Sequence, residues 1–540
     1  MNLNRQNVKY CIDKLALILE DNNELKPQHY ATFLANPDLA LRVIDLISSL
    51  NNLNENYYMA CTFVLDVCIS QLQCAKENGN NYATRILGEL MQKIANTISN
   101  GQHELSFWLN ILNIFYNTQL QLTPALSKAY YNLAKVEIGL PSAEKNEYLN
   151  NMRTMIVEST DLSDFELADN LFAQSYAFPP VFFGELVKDL FKIPEGHDLA
   201  LLTLLHPAQE VRAVIVATFE QIINTITLSS LSLTRLRMIK NWYPTSYAAI
   251  FARWLNIQKK KGVIFCHAVP AIKYKITASE IDGTGAQGLY IHLQANGKNK
   301  ICSLLFKQGI GIKNIWTTPF ISKAEGQKLL KKTATNLVML EVNFSYLLQI
   351  TEHFLALMLA QEKMPDLYLL EIQELLGCQF YPHLIDVKSL MITLNSQYNF
   401  DLNSIYQESI QRSKLWKDKH NFVKSWYDER TAVDKIVNKF CCIVNGTRVC
   451  STEKAIAAIF KDLLEKQREQ WVFHFLWISV WAQSKNRKYE ELAFDSLCIS
   501  YAIYSGFALQ SIPIMQTICY QSVVNSIETM TERRAHLNLN

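Results

Sequence analysis

Gly283, Gly285 and Gly288 have the spacing of a loop that binds phosphate groups. In dinucleotide-binding folds such a loop follows a strand and opens a helix, so that the phosphate meets the helix N-terminus. Residues 289–294 instead alternate apolar and polar side chains, which predicts a second strand. The context therefore argues against dinucleotide binding, and a glycine-rich turn between two strands is the favoured interpretation.

A strand on each side of the loop is also the arrangement in protein kinases, in which a strand lysine then contacts the phosphates. Lys307 follows Gly288 at a comparable spacing, but Tyr290 stands where valine is usual. The sequence contains no His-Arg-Asp, Asp-Phe-Gly or Ala-Pro-Glu motif, so it offers no base and no metal ligands for phosphoryl transfer. The motifs of serine hydrolases, zinc proteases and P-loop enzymes are absent too, as is Cys-x-x-Cys. We therefore expect no catalytic residue, no metal site and no cofactor.

Lysines concentrate between residues 259 and 313. This window holds nine lysines, no arginine and two carboxylates, so it carries a net charge of +7 in a chain whose net charge is +2. Such a window can bind phosphate groups, an acidic lipid surface or an acidic protein. The candidate partner-binding residues are Lys259, Lys260, Lys261, Lys273, Lys275, Lys300, Lys307 and Lys313. The alternative is that the lysines protect strand edges from aggregation, which the lack of arginine favours because bidentate phosphate recognition usually uses arginine.

Cys441, Cys442 and Cys450 flank the dipeptide Asn445-Gly446. If the dipeptide formed a two-residue hairpin turn, Cys441 would face Cys450 across two strands. The helical spacing of the apolar residues before it favours a helix over 432–444 that ends at Asn445-Gly446. In that interpretation the cysteines are buried core or interface side chains.

His474 lies among aromatic residues in the apolar segment 471–481. A histidine in such surroundings is more often a hydrogen-bonded core residue than a ligand, so we interpret His474 as part of the core.

The N-terminal residues 1–19 include Arg5, Lys9 and Asp13, where a signal peptide would need an unbroken apolar segment. The twelve cysteines are spread through the chain rather than spaced as a disulfide framework. A cytoplasmic location and free thiols are therefore expected.

Residues 496–527 contain no charged side chain and are long enough to cross a membrane. Polar residues recur along the stretch, and Pro513 divides it. We therefore predict two buried helices that meet at Pro513, and no transmembrane span.

Apolar residues recur at helical spacing over 1–258 and again over 321–540. Between these helical regions, residues 262–320 form an insert with an alternating pattern, in which Asn296-Gly297 is a strong hairpin signal. Residues 268–319 are predicted to form a meander of three or four strands, which must pack on flanking helices. The predicted fold class is mainly α, an irregular α-solenoid or multi-helix assembly with a small antiparallel β insert.

The segment from Asp198 to Ile223 has an apolar first part, a turn at His206-Pro207 and a second helix that opens with Val211-Arg212. It resembles one unit of a HEAT-type repeat. That resemblance implies helix pairs stacked into a curved surface that binds other macromolecules, whereas an ordinary helix pair is the alternative. The second half of the chain also resembles uncharacterised bacterial proteins.

The small net charge argues against nucleic-acid binding by the whole chain, so any electrostatic binding must be local. The leading hypothesis is a non-enzymatic intracellular interaction or scaffold protein whose partner is another protein. The second hypothesis is that the lysine-rich insert binds nucleic acid or another polyanion, an acidic protein or a lipid surface. An enzyme without a recognisable motif is the third.

Overall fold

The computed structural model describes residues 5–21, 23–49, 54–101, 103–138, 145–159, 161–266, 273–295, 297–333, 337–398, 402–444, 447–483 and 487–538 of the 540-residue chain. The chain divides into two compact units. The first comprises residues 1–200 with 532–540, and the second comprises residues 201–531.

The first unit is helical. Its helices are α1 (Arg5–Glu20), α2 (Ala31–Ala35), α3 (Ala40–Ser48), α4 (Glu55–Glu77), α5 (Asn81–Ser99), α6 (Leu105–Asn117), α7 (Pro124–Ile138), α8 (Lys145–Glu158), α9 (Asp164–Gln174) and α10 (Pro180–Leu190). Asparagine caps start two of them, because the Asn54 and Asn80 side chains accept hydrogen bonds from backbone amides of the first turn. One buried apolar cluster, which includes Ile12, Leu65 and Trp108, joins the helices α1 to α7.

Helix α4 is the only helix among the described residues that is long and apolar enough to cross a membrane, by length and composition alone. Val64, Leu65 and Cys68 of this helix are fully buried in the core of the first unit, as expected for the central helix of a bundle. No clear transmembrane span is therefore seen in the described part of the chain.

The second unit contains the remaining elements, except that α11 (His197–Leu202) and the last helix, α25 (Pro513–Asn538), each run across a boundary between the units. In order they are α12 (Gln209–Ile222), α13 (Ser230–Ile239), α14 (Ala248–Lys260), β1 (Lys273–Ser279), β2 (Ala286–Ala295), β3 (Lys298–Lys307), β4 (Gly311–Thr317), α15 (Lys323–Thr333), β5 (Met339–Glu341), α16 (Phe344–Leu359), α17 (Tyr368–Leu376), α18 (Val387–Tyr398), α19 (Leu402–Arg412), α20 (Trp416–Lys419), α21 (Thr431–Lys439), β6 (Cys441–Val444), β7 (Thr447–Cys450), α22 (Thr452–Ile459), α23 (Arg468–Ala482), α24 (Glu490–Tyr504) and α25 (Pro513–Asn538).

The predicted fold class, mainly α with a small antiparallel sheet, is confirmed. The sheet has the strand order β4-β3-β2-β1-β5, and its fifth strand was not predicted. The hairpin between β2 and β3 forms where it was predicted, and Gly297 has a φ of +77° there. Asn296 lies outside the described residues.

One face of the sheet, the inner face, is closed by helices. Gln287 on this face accepts a hydrogen bond of 2.6 Å from the Tyr346 hydroxyl of α16, which in turn accepts one of 3.0 Å from the Trp477 indole of α23. The rings of Phe306 and Phe354 stack beside this chain with their centroids 5.1 Å apart. The small sheet therefore obtains its core from the helices that follow it in sequence.

The two helices predicted over 496–527 are present, and α25 begins at Pro513 as predicted, but the helices do not meet there, because α24 ends at Tyr504 and a short 3-10 turn (Leu509–Ser511) follows it. Proline suits the first turn of a helix because the amide it lacks would have no partner there. Ile503 and Ile514, one on each helix, are fully buried.

The predicted helix over 432–444 is wrong beyond Lys439. Helix α21 ends there, and the strands β6 (Cys441–Val444) and β7 (Thr447–Cys450) pair antiparallel, with Cys441 and Cys450 opposite each other and joined by a disulfide. The expectation of free thiols is therefore wrong for these two residues. The hairpin alternative prevailed because the strands are rich in β-branched residues, such as Ile443 and Val449, on each side of a turn dipeptide. Asn445-Gly446 itself lies outside the described residues.

Candidate functional site

The second face of the sheet, the outer face, carries a different set of side chains. It comprises Lys273, Lys275 and Thr277 of β1, Gly288, Tyr290, His292 and Gln294 of β2, Asn299, Ile301, Ser303 and Leu305 of β3, and Asn314 and Trp316 of β4. Alternation along each strand places these residues together, because every second side chain points to the same face. Most of them are half-buried or exposed, in contrast to the closed inner face. Asn299, Ile301 and Ser303 of β3 are buried.

Two aromatic rings lie next to each other on the outer face. The centroids of Tyr290 and Trp316 are 6.4 Å apart in an edge-to-face arrangement, and both side chains are half-buried. Tyr290 leans over Gly288, where a Cβ atom would stand only 3.2 Å from the tyrosine ring. The glycine thus makes room for the ring to lie against the strand, and partial burial raises the pKa of the Tyr290 hydroxyl. The result is an aromatic platform made of Tyr290 and Trp316.

Lys273 and Lys275 are exposed on the outer face, as a partner-binding role requires. Lys273 is opposite Gln294, and Lys275 is opposite His292. The Lys275 ammonium lies 3.3 Å from the Glu341 carboxylate at the exposed edge of the sheet. Lys273 is therefore the less neutralised of the two.

Lys300 points to the inner face, where it cannot reach a partner. Its ammonium lies 2.6 Å from the Glu371 carboxylate of α17, and both side chains are less than a tenth exposed. Thr317 donates a hydrogen bond of 2.7 Å to the other oxygen of this carboxylate. The prediction for Lys300 therefore needs correction, because alternation along β3 turns this residue inward, where its charge is paired and buried.

The three lysines at the end of α14 have different surroundings. Lys261 donates hydrogen bonds of 2.7 Å to the Asn224 carbonyl and 3.3 Å to the Ile223 carbonyl, so it caps the C-terminal end of α12. Lys259 lies 5.0 Å from the centroid of the Phe265 ring. Lys260 is exposed on the last turn of the helix. The placement of Lys261 favours a structural role over binding.

Lys307 and Lys313 are both half-buried at the opposite end of the sheet from Lys273. Lys307 donates a hydrogen bond to the Thr284 hydroxyl in the glycine-rich turn. Lys313 is the extra residue of a β-bulge, between Ile312 opposite Phe306 and Asn314 opposite Leu305. The eight candidate lysines therefore do not form one continuous surface.

The glycine-rich segment is the turn between β1 and β2, as predicted. The Asp282 carboxylate accepts hydrogen bonds of 2.9 Å from the amides of both Thr284 and Ala286. These are the amide donors that a phosphate group would need. A Cβ on Gly283 would lie 2.5 Å from the Cα atom of Trp426. The glycine therefore permits close packing of the turn against the helical core.

The sequence analysis counted Lys298 but did not name it as a candidate, and it missed the lysines that follow residue 313, where the count stopped. Gly326 of α15 packs next to Asn299 at the start of β3, which brings the exposed Lys323 to this end of the sheet. Lys298 is exposed beside Asn299, and Asn299 lies opposite Gln294, the partner of Lys273. Lys273, Lys298 and Lys323 therefore form the basic end of the sheet. The lysines of α15 are visible in the sequence, but their position next to β3 is not.

His474 is buried in the core, as predicted. Its ring centroid lies 5.2 Å from those of both Trp426 and Trp471. Burial lowers the pKa of His474 to about 4, so the ring is neutral at physiological pH. The predicted hydrogen bonding is incomplete, because Nε2 has no hydrogen-bond partner in the described part of the chain.

Among the described residues, no group of three or more His, Cys, Asp or Glu side chains could hold a metal ion.

Fold and site together define a mainly α-helical protein with a small antiparallel sheet whose outer face is partly exposed. Comparison with known families adds two matches. Residues 179–262 match the family described as the Y4lR second domain, and residues 389–527 match the Y4lR C-terminal helical domain. The chain is similar to these two domain families over the matched residues, and a HEAT-type repeat is not confirmed. No curated protein and no solved structure matches the chain.

The first match covers the helix pair that resembles a HEAT unit, and the second covers most of the helical region after the sheet. The strands β1 to β5 lie between the two matched segments. The outer face is therefore a feature that neither match describes.

Proposed function

We propose that this chain is a non-enzymatic interaction protein that binds its partner on the outer face of the sheet. The observation that carries this proposal is the aromatic platform of Tyr290 and Trp316, which lies on the accessible face of a sheet whose other face is closed. Large aromatic side chains supply much of the binding energy in many interfaces.

The charges beside the platform favour an anionic partner. Lys273 is exposed on the outer face, and Lys298 and Lys323 are exposed at the same end of the sheet. Two carboxylates in this region already have partners, because Glu341 lies close to Lys275 and Glu325 accepts a hydrogen bond from the Ser322 amide. Lysine attracts phosphate or carboxylate groups as a point charge, and its long side chain can follow an irregular backbone.

Aromatic rings combined with lysines are the arrangement with which many proteins bind single-stranded nucleic acids. Unpaired bases stack on the rings while the cations neutralise the phosphates, with little dependence on sequence. We therefore propose a single-stranded nucleic acid as the partner. An acidic protein segment would use the lysines but would gain less from a stacking platform.

Fluorescence anisotropy with a labelled single strand of about 12 nucleotides tests the proposal, because single-strand sites span roughly 4 to 16 nucleotides. The test variant is Lys273→Gln combined with Lys298→Gln and Lys323→Gln. It should weaken binding and lower the slope of log K against log salt by about 2, since each phosphate contact in a single strand contributes about 0.7.

The matched control replaces three exposed lysines elsewhere in the same unit, Lys414, Lys417 and Lys461. It has the same change in net charge and should bind as the original protein does. Equal losses in both variants would mean that only overall charge matters, and the proposed surface would be wrong.

Trp316→Ala tests the aromatic platform separately. It should weaken binding of the single strand and leave the salt slope unchanged, because stacking releases no counterions. If the protein binds an acidic peptide through the basic end but no oligonucleotide, the partner is a protein and the nucleic-acid assignment is wrong. Binding of neither ligand would overturn the proposed function.

A further inference from the structure

The hairpin β6–β7 holds two cysteines in a position that favours a bond between them. Cys441 and Cys450 are opposite each other, and the Ser451 amide donates a hydrogen bond of 2.9 Å to the Phe440 carbonyl just outside the pair. This pattern marks a pair of residues with no hydrogen bonds between them, where facing Cα atoms approach to about 4.5 Å. The Cα atoms of Cys441 and Cys450 are 4.0 Å apart, and a disulfide joins the side chains.

This disulfide differs from the disulfides that stabilise small secreted domains. Ten other cysteines in the described residues are free thiols, so the chain has no disulfide framework. The two bonded residues are only nine positions apart and are already aligned by the strand pairing. The bond therefore connects no distant parts of the fold.

The hairpin cysteines are also more accessible than most of the other thiols. Cys441 and Cys450 are half-buried, and their neighbour Cys442 is exposed. By contrast, Cys61, Cys68 and Cys302 are fully buried, where small reagents cannot reach them and burial disfavours the reactive thiolate.

We infer that Cys441 and Cys450 form a reversible dithiol–disulfide site that exchanges with low-molecular-weight thiols of the glutathione class. The thiolate of one small thiol attacks a sulfur of the Cys441–Cys450 bond, which breaks and leaves a mixed disulfide and one cysteine thiolate that takes up a proton. A second small thiolate then attacks the mixed disulfide and releases the oxidised small-molecule disulfide together with the second cysteine. Two electrons pass from the small thiols to the protein, and the reverse sequence restores the bond.

Cys442 does not serve as the internal attacking group. It is adjacent to Cys441 on β6, so its side chain points to the opposite face of the hairpin. Cys442 is therefore a matched control in the same hairpin, and the exposed Cys74 of α4 is a second control in the other unit.

Alkylation followed by peptide mass spectrometry tests the site on the full-length protein. The protein is equilibrated in buffers of increasing ratio of reduced to oxidised glutathione and then alkylated under native conditions. Cys441 and Cys450 should become alkylated together over one range of ratios, as expected for a two-electron couple. In Cys441→Ser, Cys450 should react in every buffer or carry one glutathione, and the reciprocal result should hold for Cys450→Ser.

The variants Cys442→Ser and Cys74→Ser should keep the joint transition of Cys441 and Cys450. Two outcomes would overturn the inference. Alkylation of both cysteines even in fully oxidised glutathione would show that the bond does not form. Protection of both in a large excess of reduced glutathione, combined with ready reduction after unfolding in urea, would show a purely structural disulfide.

Discussion

The hairpins β2–β3 and β6–β7 carry the same Asn-Gly dipeptide in sequence, yet different interactions hold their strands together. The strands of the first are ten residues long, and their inner face packs on α16 and α23. Those of the second are four residues long, and a disulfide joins their outer ends. A long strand pair can be stabilised by packing on one face, whereas a short one has too few contacts and depends on a covalent bond or on flanking helices.

The comparison predicts that the largest loss of stability comes from the buried charge on the long hairpin. Lys300→Ala leaves the Glu371 carboxylate buried without its cation, and we expect the free energy of unfolding to fall by about 3–5 kcal/mol. Urea denaturation followed by tryptophan fluorescence measures this loss, because every tryptophan except Trp108 lies in the second unit.

The adjacent Lys298 provides the control, since it is exposed on the same strand. Lys298→Ala should change the free energy of unfolding by less than about 0.5 kcal/mol. Similar losses in the two variants would show that Lys300 is not buried in an ion pair.

The disulfide of the short hairpin should have a smaller effect. Replacing both Cys441 and Cys450 with serine removes the link that restricts a short loop in the unfolded chain. Because the unfolded chain then gains conformational entropy, we expect the free energy of unfolding to fall by about 2–3 kcal/mol. Denaturation with and without a reducing agent measures it. Reductant should lower the stability of the original protein to that of the double variant and leave the variant unchanged.

Acid should distinguish the two hairpins, because the helices behind the long one contain buried neutral histidines. The pKa values of His353 on α16 and His474 on α23 are both about 4, lowered mainly by burial, whereas an unfolded histidine titrates near 6.5. Between these pH values the unfolded chain binds more protons than the folded chain. Stability is therefore fully present above about pH 6.5 and is lost as the pH falls towards 4.

At pH 5.5 the loss should be about 1.4 kcal/mol for each histidine relative to neutral pH. Urea denaturation at a series of pH values provides the measurement. His474→Phe should remove the part of this acid-induced loss in the free energy of unfolding that His474 contributes. If the slope between pH 6.5 and 5 is the same in that variant, then His474 is not buried as a neutral ring.

The two hairpins also show how much of the structure could be predicted. The alternating pattern of β2 and β3 runs over twenty residues and fits only strands, so this hairpin was predicted correctly, whereas the short fifth strand of the sheet was not predicted. Around Cys441 the strands are short, and their apolar residues continue the helical spacing of α21. The spacing therefore predicted a helix, whereas the Asn-Gly dipeptide predicted a hairpin. The prediction followed the helical pattern, whereas residues 441–444 and 447–450 pair as strands.

The candidate site was predicted only in part, for a related reason. Strand periodicity places Lys273 and Lys275 on one face, but the sequence does not show which face the helices will cover. Lys300 follows Asn299 by one position and is therefore on the opposite face, where Glu371 arrives from a helix some seventy residues later in the chain. The position of Lys323 near the sheet end likewise depends on the packing of Gly326 of α15 next to Asn299, which no local pattern encodes.

The smallest predicted effect concerns the second hydrogen bond to the buried carboxylate. Thr317→Val keeps the shape of the side chain but removes the hydroxyl that donates to Glu371 over 2.7 Å. Since the carboxylate retains Lys300, the free energy of unfolding should fall by only about 1 kcal/mol, the usual net value of one hydrogen bond. Combining it with Lys300→Ala gives a double-mutant cycle measured by the same urea denaturation. The two losses should not add, because both residues act on one carboxylate; strict additivity would mean that Thr317 and Lys300 do not share Glu371.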